Sequence, residues 1–267
     1  MRKIYLLLLL FASYNLLSQS SYDSIIQPRK EISITKNGAT IIKNISNSNI
    51  KLDFLCDQKL VRKFTYSVFR YSNKNSKTAY YLKQWNTPII VYFDKKIPKE
   101  VTNKFKVFFS EFNTINNLKI HYTTNIEKAN YQIKVSNRKI TKYIKNIKFK
   151  SDKEKINYFL YNATYNLQTD NNMKFYSGTI QINTDEFNND LLLKKLKQLF
   201  YITLGNFTTS YSSLENSLLN LKYADNATIS DIDFNFIKAF YEIIYTQKIN
   251  GTTFSNLNKL AQKNCNK

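Results

Sequence analysis

Few side chains in this sequence are equipped for chemistry. There is one histidine, His121, and there are two cysteines, Cys56 and Cys265. A catalytic zinc usually takes three protein ligands, mostly histidines, and one histidine cannot supply that set. Cysteine–histidine catalysis would need His121 beside Cys56 or Cys265, and neither cysteine carries a local nucleophile signature. Two isolated cysteines are no metal motif; in an oxidising compartment they could pair as one disulfide, tying the start of the chain to its end.

Ser210, Ser212 and Ser213 form a hydroxyl-rich stretch with Thr208 and Thr209. A serine nucleophile needs a base, which here means His121 or a buried lysine, and loop composition accounts for these residues equally well. Asp225, Asp231 and Asp233 offer the oxygen ligands that calcium prefers, but without a glycine-containing loop pattern. Asp233 follows Ser230 at capping-box spacing, and Asp231 suits the positive end of the same helix. Asp185, Glu186 and Glu215 could in principle pair for acid–base work, which depends on a separation that spacing does not supply; they are read as solvated.

The elements that would position these groups are clearest after Trp85. Pro88-Ile-Ile-Val-Tyr-Phe93 reads as a buried strand. Val101, Phe105, Phe108, Phe109 and Phe112 share one face of a helix over 98–112, with Pro98 in its first turn. Leu118-Lys-Ile-His-Tyr122 and Ala129-Asn-Tyr-Gln-Ile-Lys-Val135 alternate as half-buried strands, which turns His121 away from the core. Two strands over 158–168 and 173–183 flank the turn-prone Asp170-Asn171-Asn172. A helix over 191–204 ends at Gly205, and a second over 231–245 opens at Ser230. Upstream, Ile32, Ile34, Ile41 and Ile45 suggest edge strands or a poorly ordered lead-in. The stretch 64–71 reads as strand, and 78–84 as a short helix. The sum is an α+β domain with helices on a mixed sheet.

At the start, Met1-Arg2-Lys3 is followed by an apolar run over 4–12 and the small residues Ser18-Gln19-Ser20. That order reads as a secretory signal peptide over 1–20, and the run is too short to span a bilayer. No later stretch is long and apolar enough to do so. The expected location is secreted or periplasmic. The chain's 20 tyrosines and 19 phenylalanines are ample material for a core. A net charge of +21 invites a nucleic-acid reading, but the lysines are spread along the chain without a run, and Lys, Asn, Ile and Tyr enrichment with four glycines points to an AT-rich genome. Weak adhesion to acidic surfaces is expected, and specific nucleic-acid binding is not.

The ordered elements resemble the zincin fold of metallopeptidases, over residues 80–255. Trp85-Asn-Thr-Pro-Ile-Ile-Val-Tyr-Phe93 is similar to the opening strand of many bacterial secreted zincins, and Ala129-Asn-Tyr-Gln-Ile133 to their A-D-I-x-I strand. Gly178-Thr-Ile-Gln-Ile182 resembles the strand beside the substrate cleft, which makes Gly178, Thr179 and Gln181 cleft candidates. The helix ending at Gly205 falls where the family carries H-E-x-x-H-x-L-G. Ser213-Leu214 and Ile229-Ser-Asp-Ile-Asp233 resemble its downstream Ser-hydrophobic and L-T-x-x-D elements. The likeness is closest to uncharacterised bacterial secreted proteins in which the metal motif is eroded.

Carried over residue by residue, the resemblance puts the first zinc histidine at Gln198, the general-base glutamate at Leu199, the second histidine at Ile202 and the third ligand at Thr208. None of these can do the family's work: an alkyl group binds no zinc and takes no proton. With the signal peptide read from its own residues over 1–20, the resemblance implies a degenerate zincin-like domain over 80–255, which leaves a lead-in over 21–79 and a tail over 256–267. It implies no cofactor, no metal and no catalytic residue, and a binding role toward a protein or an anionic envelope polymer. The alternatives are a basic adhesion protein of the envelope and an enzyme with a site of another class.

Overall fold

The computed structural model describes residues 33–34, 40–41, 53–70, 80–136, 163–184, 188–210, 213, 216–242, 244–245 and 248–265. The signal-peptide assignment, Ser212, Leu214, Asp185, Glu186 and Glu215 lie outside them. Strands β1 (Ser33–Ile34) and β2 (Thr40–Ile41) pair antiparallel. Helices α1 (Asp53–Cys56) and α2 (Gln58–Phe69) follow.

Helix α2 corrects the strand expected over 64–71. Phe64, Val68 and Phe69 suggested a strand by composition, but Val61, Phe64 and Val68 are spaced three and four apart and form one buried helical face. The Asp57 carboxylate accepts from the backbone N–H groups of Lys59 at 2.9 Å and Leu60 at 3.1 Å, capping the first turn. Arg70, in the left-handed region at φ 51°, closes the last. The short helix expected over 78–84 is also absent where the chain is described. Tyr81 bridges to Asn250, and Gln84–Trp85 is the short strand β3.

The sheet continues with β4 (Ile89–Phe93), helix α3 (Lys99–Phe108), β5 (Ile120–Thr123), β6 (Tyr131–Val135), β7 (Ala163–Thr169) and β8 (Lys174–Ile182). Its order is β3-β8-β6-β4-β5, all parallel, with β7 antiparallel along the other edge of β8. The sheet is therefore mixed and mostly parallel. In the β7–β8 hairpin, Asp170 Oδ1 accepts from the backbone of Asn172 at 2.9 Å and Lys174 at 2.7 Å.

Alternation gives the sheet one dry face. Ile89, Val91, Tyr131, Ile133, Ile180 and Ile182 are buried, whereas Tyr92, Gln132, Lys134, Thr179 and Gln181 between them are half-buried or exposed. Phe93 meets Phe105 of α3, and Tyr131 meets Phe200 of α4 (Asn189–Thr203). Beyond α4, helices α5 (Asp231–Tyr241) and α6 (Gly251–Cys265) complete the core with α2. Phe64 sits among Phe54, Phe69, Phe236, Phe240 and Phe254, with ring centroids 4.7 to 6.4 Å away. Such pairs add about 1 kcal/mol each beyond burial.

Several boundaries differ from expectation, and the helix expected over 98–112 ends at Phe108, followed by a 3-10 helix over Ser110–Thr114. Helix α5 stops at Tyr241 rather than 245 because side chains take its last carbonyls. Gln84 Nε2 donates to Phe240 O at 2.7 Å, and Asn117 Nδ2 donates to Tyr241 O at 2.9 Å and Glu242 O at 3.1 Å. The expected tail over 256–267 is helical to Cys265, because Phe254 and Leu257 are buried and Gln262 Nε2 donates to Leu55 O at 2.6 Å. Cys56 and Cys265 are joined, with Cα atoms 5.6 Å apart. Among the described residues, no helix is long and apolar enough to cross a membrane.

Candidate functional site

Helix α4 begins at Asn188, whose side chain accepts from Leu191 N–H at 2.9 Å, and is buried on all sides from Lys195 to Thr203. An all-round buried helix is a core element and has no face left for solvent. Its end does not use Gly205 for conformational freedom. The left-handed step falls on Asn206, at φ 54°. Gly205 is needed for space: a Cβ there would stand 2.2 Å from the Phe207 ring and 2.8 Å from Phe240.

The positions singled out on this helix are filled by packing. Leu199 and Ile202 are 0% and 1% exposed. Gln198 donates through Nε2 to Asn220 O at 2.6 Å and to Leu218 O at 3.3 Å, which fastens the turn over residues 217–220 against α4. Thr208 lies past the turn, its N–H donating to Ser67 O at 2.8 Å. Its buried hydroxyl has no hydrogen-bond partner among the described residues. An amide already committed to two carbonyls and two alkyl groups do not fit a zinc ion.

The turn is held from its other side by Asp233, which is fully buried. Its carboxylate accepts from Ser217 Oγ at 2.6 Å, Leu218 N–H at 2.6 Å and Lys63 Nζ at 3.3 Å. The Ser230 hydroxyl caps α5 by accepting from Asp233 N–H at 3.3 Å, but the Asp233 carboxylate reaches into the turn and does not return the capping-box bond expected of it. Lys63 Nζ also donates to Ser217 Oγ, at 3.3 Å. Burial pushes the Lys63 amine below its ordinary pKa, and the Asp233 charge pulls it back up.

Serine, lysine and aspartate at these distances have the composition of a catalytic group. The proton arrangement is wrong for one. Ser217 donates to a carboxylate, a weak base for a hydroxyl, its oxygen accepts from the Lys63 amine, and the residue is 0% exposed and so closed to a substrate. The network ties α2, α5 and the turn over residues 217–220 together.

The other residues named from sequence are scattered. His121 is exposed on the outermost strand, beside Ile90 of β4. Ser210 N–H donates to Leu219 O at 2.9 Å, and Ser213 O accepts from Asn220 Nδ2. Asp225 pairs with Lys197 at 3.0 Å, well separated in role from Asp233 with its own lysine, while Asp231 is exposed in the first turn of α5. No group of three or more His, Cys, Asp or Glu able to hold a metal ion occurs among the described residues. On β8, the Tyr131 ring lies across Gly178, where a Cβ would be 2.5 Å from it. Thr179 and Gln181 sit beside Gln132 and Lys134 on the face of the sheet turned away from Gly178, and β7 covers the strand's outer edge.

A cavity of about 270 Å³ opens where α4 ends. Arg70, Tyr80, Tyr81, Lys83, Met173 and Asn206 line it. These come from the end of α2, the segment before β3, the hairpin turn and the end of α4. No local motif announces them, because four stretches of sequence contribute one to three residues each. The three non-glycine residues with positive φ among the described residues are Arg70, Met173 and Asn206, and all three are in this wall. Each left-handed residue costs about 1 kcal/mol unless it is glycine. A larger cavity of about 510 Å³ beside α5 carries Asp57, Glu242 and Lys238, and so both signs of charge.

No family model matches this chain, and no curated protein matches it. Its site must be read from its own residues.

Proposed function

We propose that the chain is a secreted or periplasmic protein of zincin-like build that carries out no metallopeptidase chemistry and acts through binding. Gln198 carries this reading: where the family's first zinc histidine would stand, an amide is committed to the carbonyls of Leu218 and Asn220. Leu199 and Ile202, at the general-base and second-histidine positions, are packed in the core. Support for the build comes from the succession of strand, helix, two strands, hairpin, helix, loop and helix from β4 to α5. Export is supported by the basic, apolar and small-residue opening of the sequence and by the Cys56–Cys265 bridge, since disulfides persist in oxidising compartments.

Metal analysis of protein purified without chelator and without a histidine tag is the test. No stoichiometric zinc is expected. One zinc per chain, or peptide cleavage abolished by a chelator, would overturn the reading.

A second reading, a basic envelope-associated adhesion protein that contacts anionic polymers, is favoured by the cavity bearing Arg70 and Lys83. Retention on an anionic matrix that weakens steeply with salt would support it.

A further inference from the structure

We infer that the cavity at the end of α4 is a binding site for a small carboxylate or phosphate group. Its polar wall is built of donors. Arg70 brings a guanidinium, Lys83 an ammonium, Tyr80 and Tyr81 phenols and Asn206 an amide, and among the described residues no carboxylate lines it. Among the described residues, neither Arg70 nor Lys83 forms an ion pair. The Arg70 guanidinium lies over the Tyr80 ring, 5.1 Å from its centroid, which orients its fork of N–H groups. The Tyr165 hydroxyl donates to Asn206 Oδ1 at 3.2 Å, which fixes the orientation of the amide and of its Nδ2 donors. Planar donors and a point charge around one opening are the recognition chemistry of carboxylate and phosphate.

The backbone reinforces this. Arg70 and Asn206 hold left-handed conformations that glycine would adopt without strain, and both side chains stand in the cavity wall. The volume, about 270 Å³, falls just below the range for drug-sized ligands and suits one residue-sized unit carrying the anion. The larger cavity beside α5 has no such bias, since Asp57 and Glu242 oppose Lys238 in its lining.

The test is calorimetric titration of the full, disulfide-bonded protein with D-glucuronate, inorganic phosphate and, as a neutral control, D-glucose. One anion per chain is expected to bind, with affinity falling as salt rises, and glucose is not. Glucuronate alone binding would assign the site to carboxylates, phosphate alone to phosphates, and both to either anion. Arg70→Gly is the decisive variant, because φ 51° suits glycine and the fold should keep or gain thermal stability. A loss of tenfold or more in affinity with Tm maintained supports the site, and Arg70→Lys should lose less. Binding by neither anion, or equal binding by Arg70→Gly and the parent, would overturn it. Zinc content has no bearing on this outcome, so the anion site and the metallopeptidase-like reading stand or fall separately.

Discussion

The Asp233 carboxylate accepts a hydrogen bond from the backbone N–H of Leu218 at 2.6 Å, fifteen residues back along the chain. That bond and the two from Gln198 clamp one turn between α4 and α5. Ser217 and Lys63 both donate to the other oxygen of the same carboxylate, so the buried charge is met by three donors.

Asp233→Asn keeps the shape of the side chain and removes its charge. It leaves Lys63, four-fifths buried, without a counter-charge. A loss of about 3 kcal/mol in denaturant unfolding is expected. Pairing it with Lys63→Met should recover at least 1 kcal/mol of that loss in a double-mutant cycle. Additive losses would show that the two residues do not act together.

Gly205→Ala is expected to destabilise by about 3 kcal/mol, because the added methyl would stand 2.2 Å from the Phe207 ring. Gly251→Ala is the control. Its Cβ would meet Phe69 no closer than 3.5 Å, and alanine there should leave stability unchanged or raise it by up to about 1 kcal/mol. Thermal melts of the two variants compare the sites directly.

Reduction of the Cys56–Cys265 bridge, or Cys265→Ser, frees a loop closed across 209 residues. Chain entropy alone puts the loss at about 5 kcal/mol. Denaturant midpoints with and without reductant measure it, and an unchanged midpoint would mean that the bridge constrains little in the unfolded chain.

Stability should have an alkaline edge. Burial pushes the Tyr131, Tyr201 and Tyr241 hydroxyls above their ordinary pKa. A raised folded-state pKa leaves stability whole below the unfolded value near 10 and erodes it above, by up to about 1.4 kcal/mol per pH unit for each group. Lys195 acts the other way. Burial holds its amine well below 10.5, so the unfolded chain takes up that proton first, and stability falls as pH drops beneath 10.5. The expected profile climbs toward pH 10 and collapses beyond it, with the share of tyrosinate absorbance that belongs to the buried tyrosines appearing only at unfolding. In Lys195→Met the climb should flatten.

Much of the fold could be read from periodicity. Val101, Phe105 and Phe108 announce α3 at helical spacing, and the alternation around Tyr131 and Ile133 announces β6. Phe64, Tyr66 and Val68 have strand-like composition, whereas the signature of helix α2 lies in Asp57 and the three-and-four spacing of Val61, Phe64 and Val68. The tertiary roles were less legible. Asp233 looks like half of a capping box because local spacing cannot reveal that its carboxylate serves a distant turn. Arg70, Lys83, Met173 and Asn206 meet only through the sheet and α4, and nothing in their neighbourhoods distinguishes them.

The bridge from Cys56 in α1 to Cys265 at the close of α6 also sets how the protein answers tension. A pull exerted between a point upstream of Cys56 and a point downstream of Cys265 travels through one sulfur–sulfur bond. The sheet, α4 and the clamped turn lie on the slack side of that shortcut and feel none of it. In a reducing medium the same pull would enter at α1 and leave through α6, and peel the two helices off the core from opposite ends of the chain.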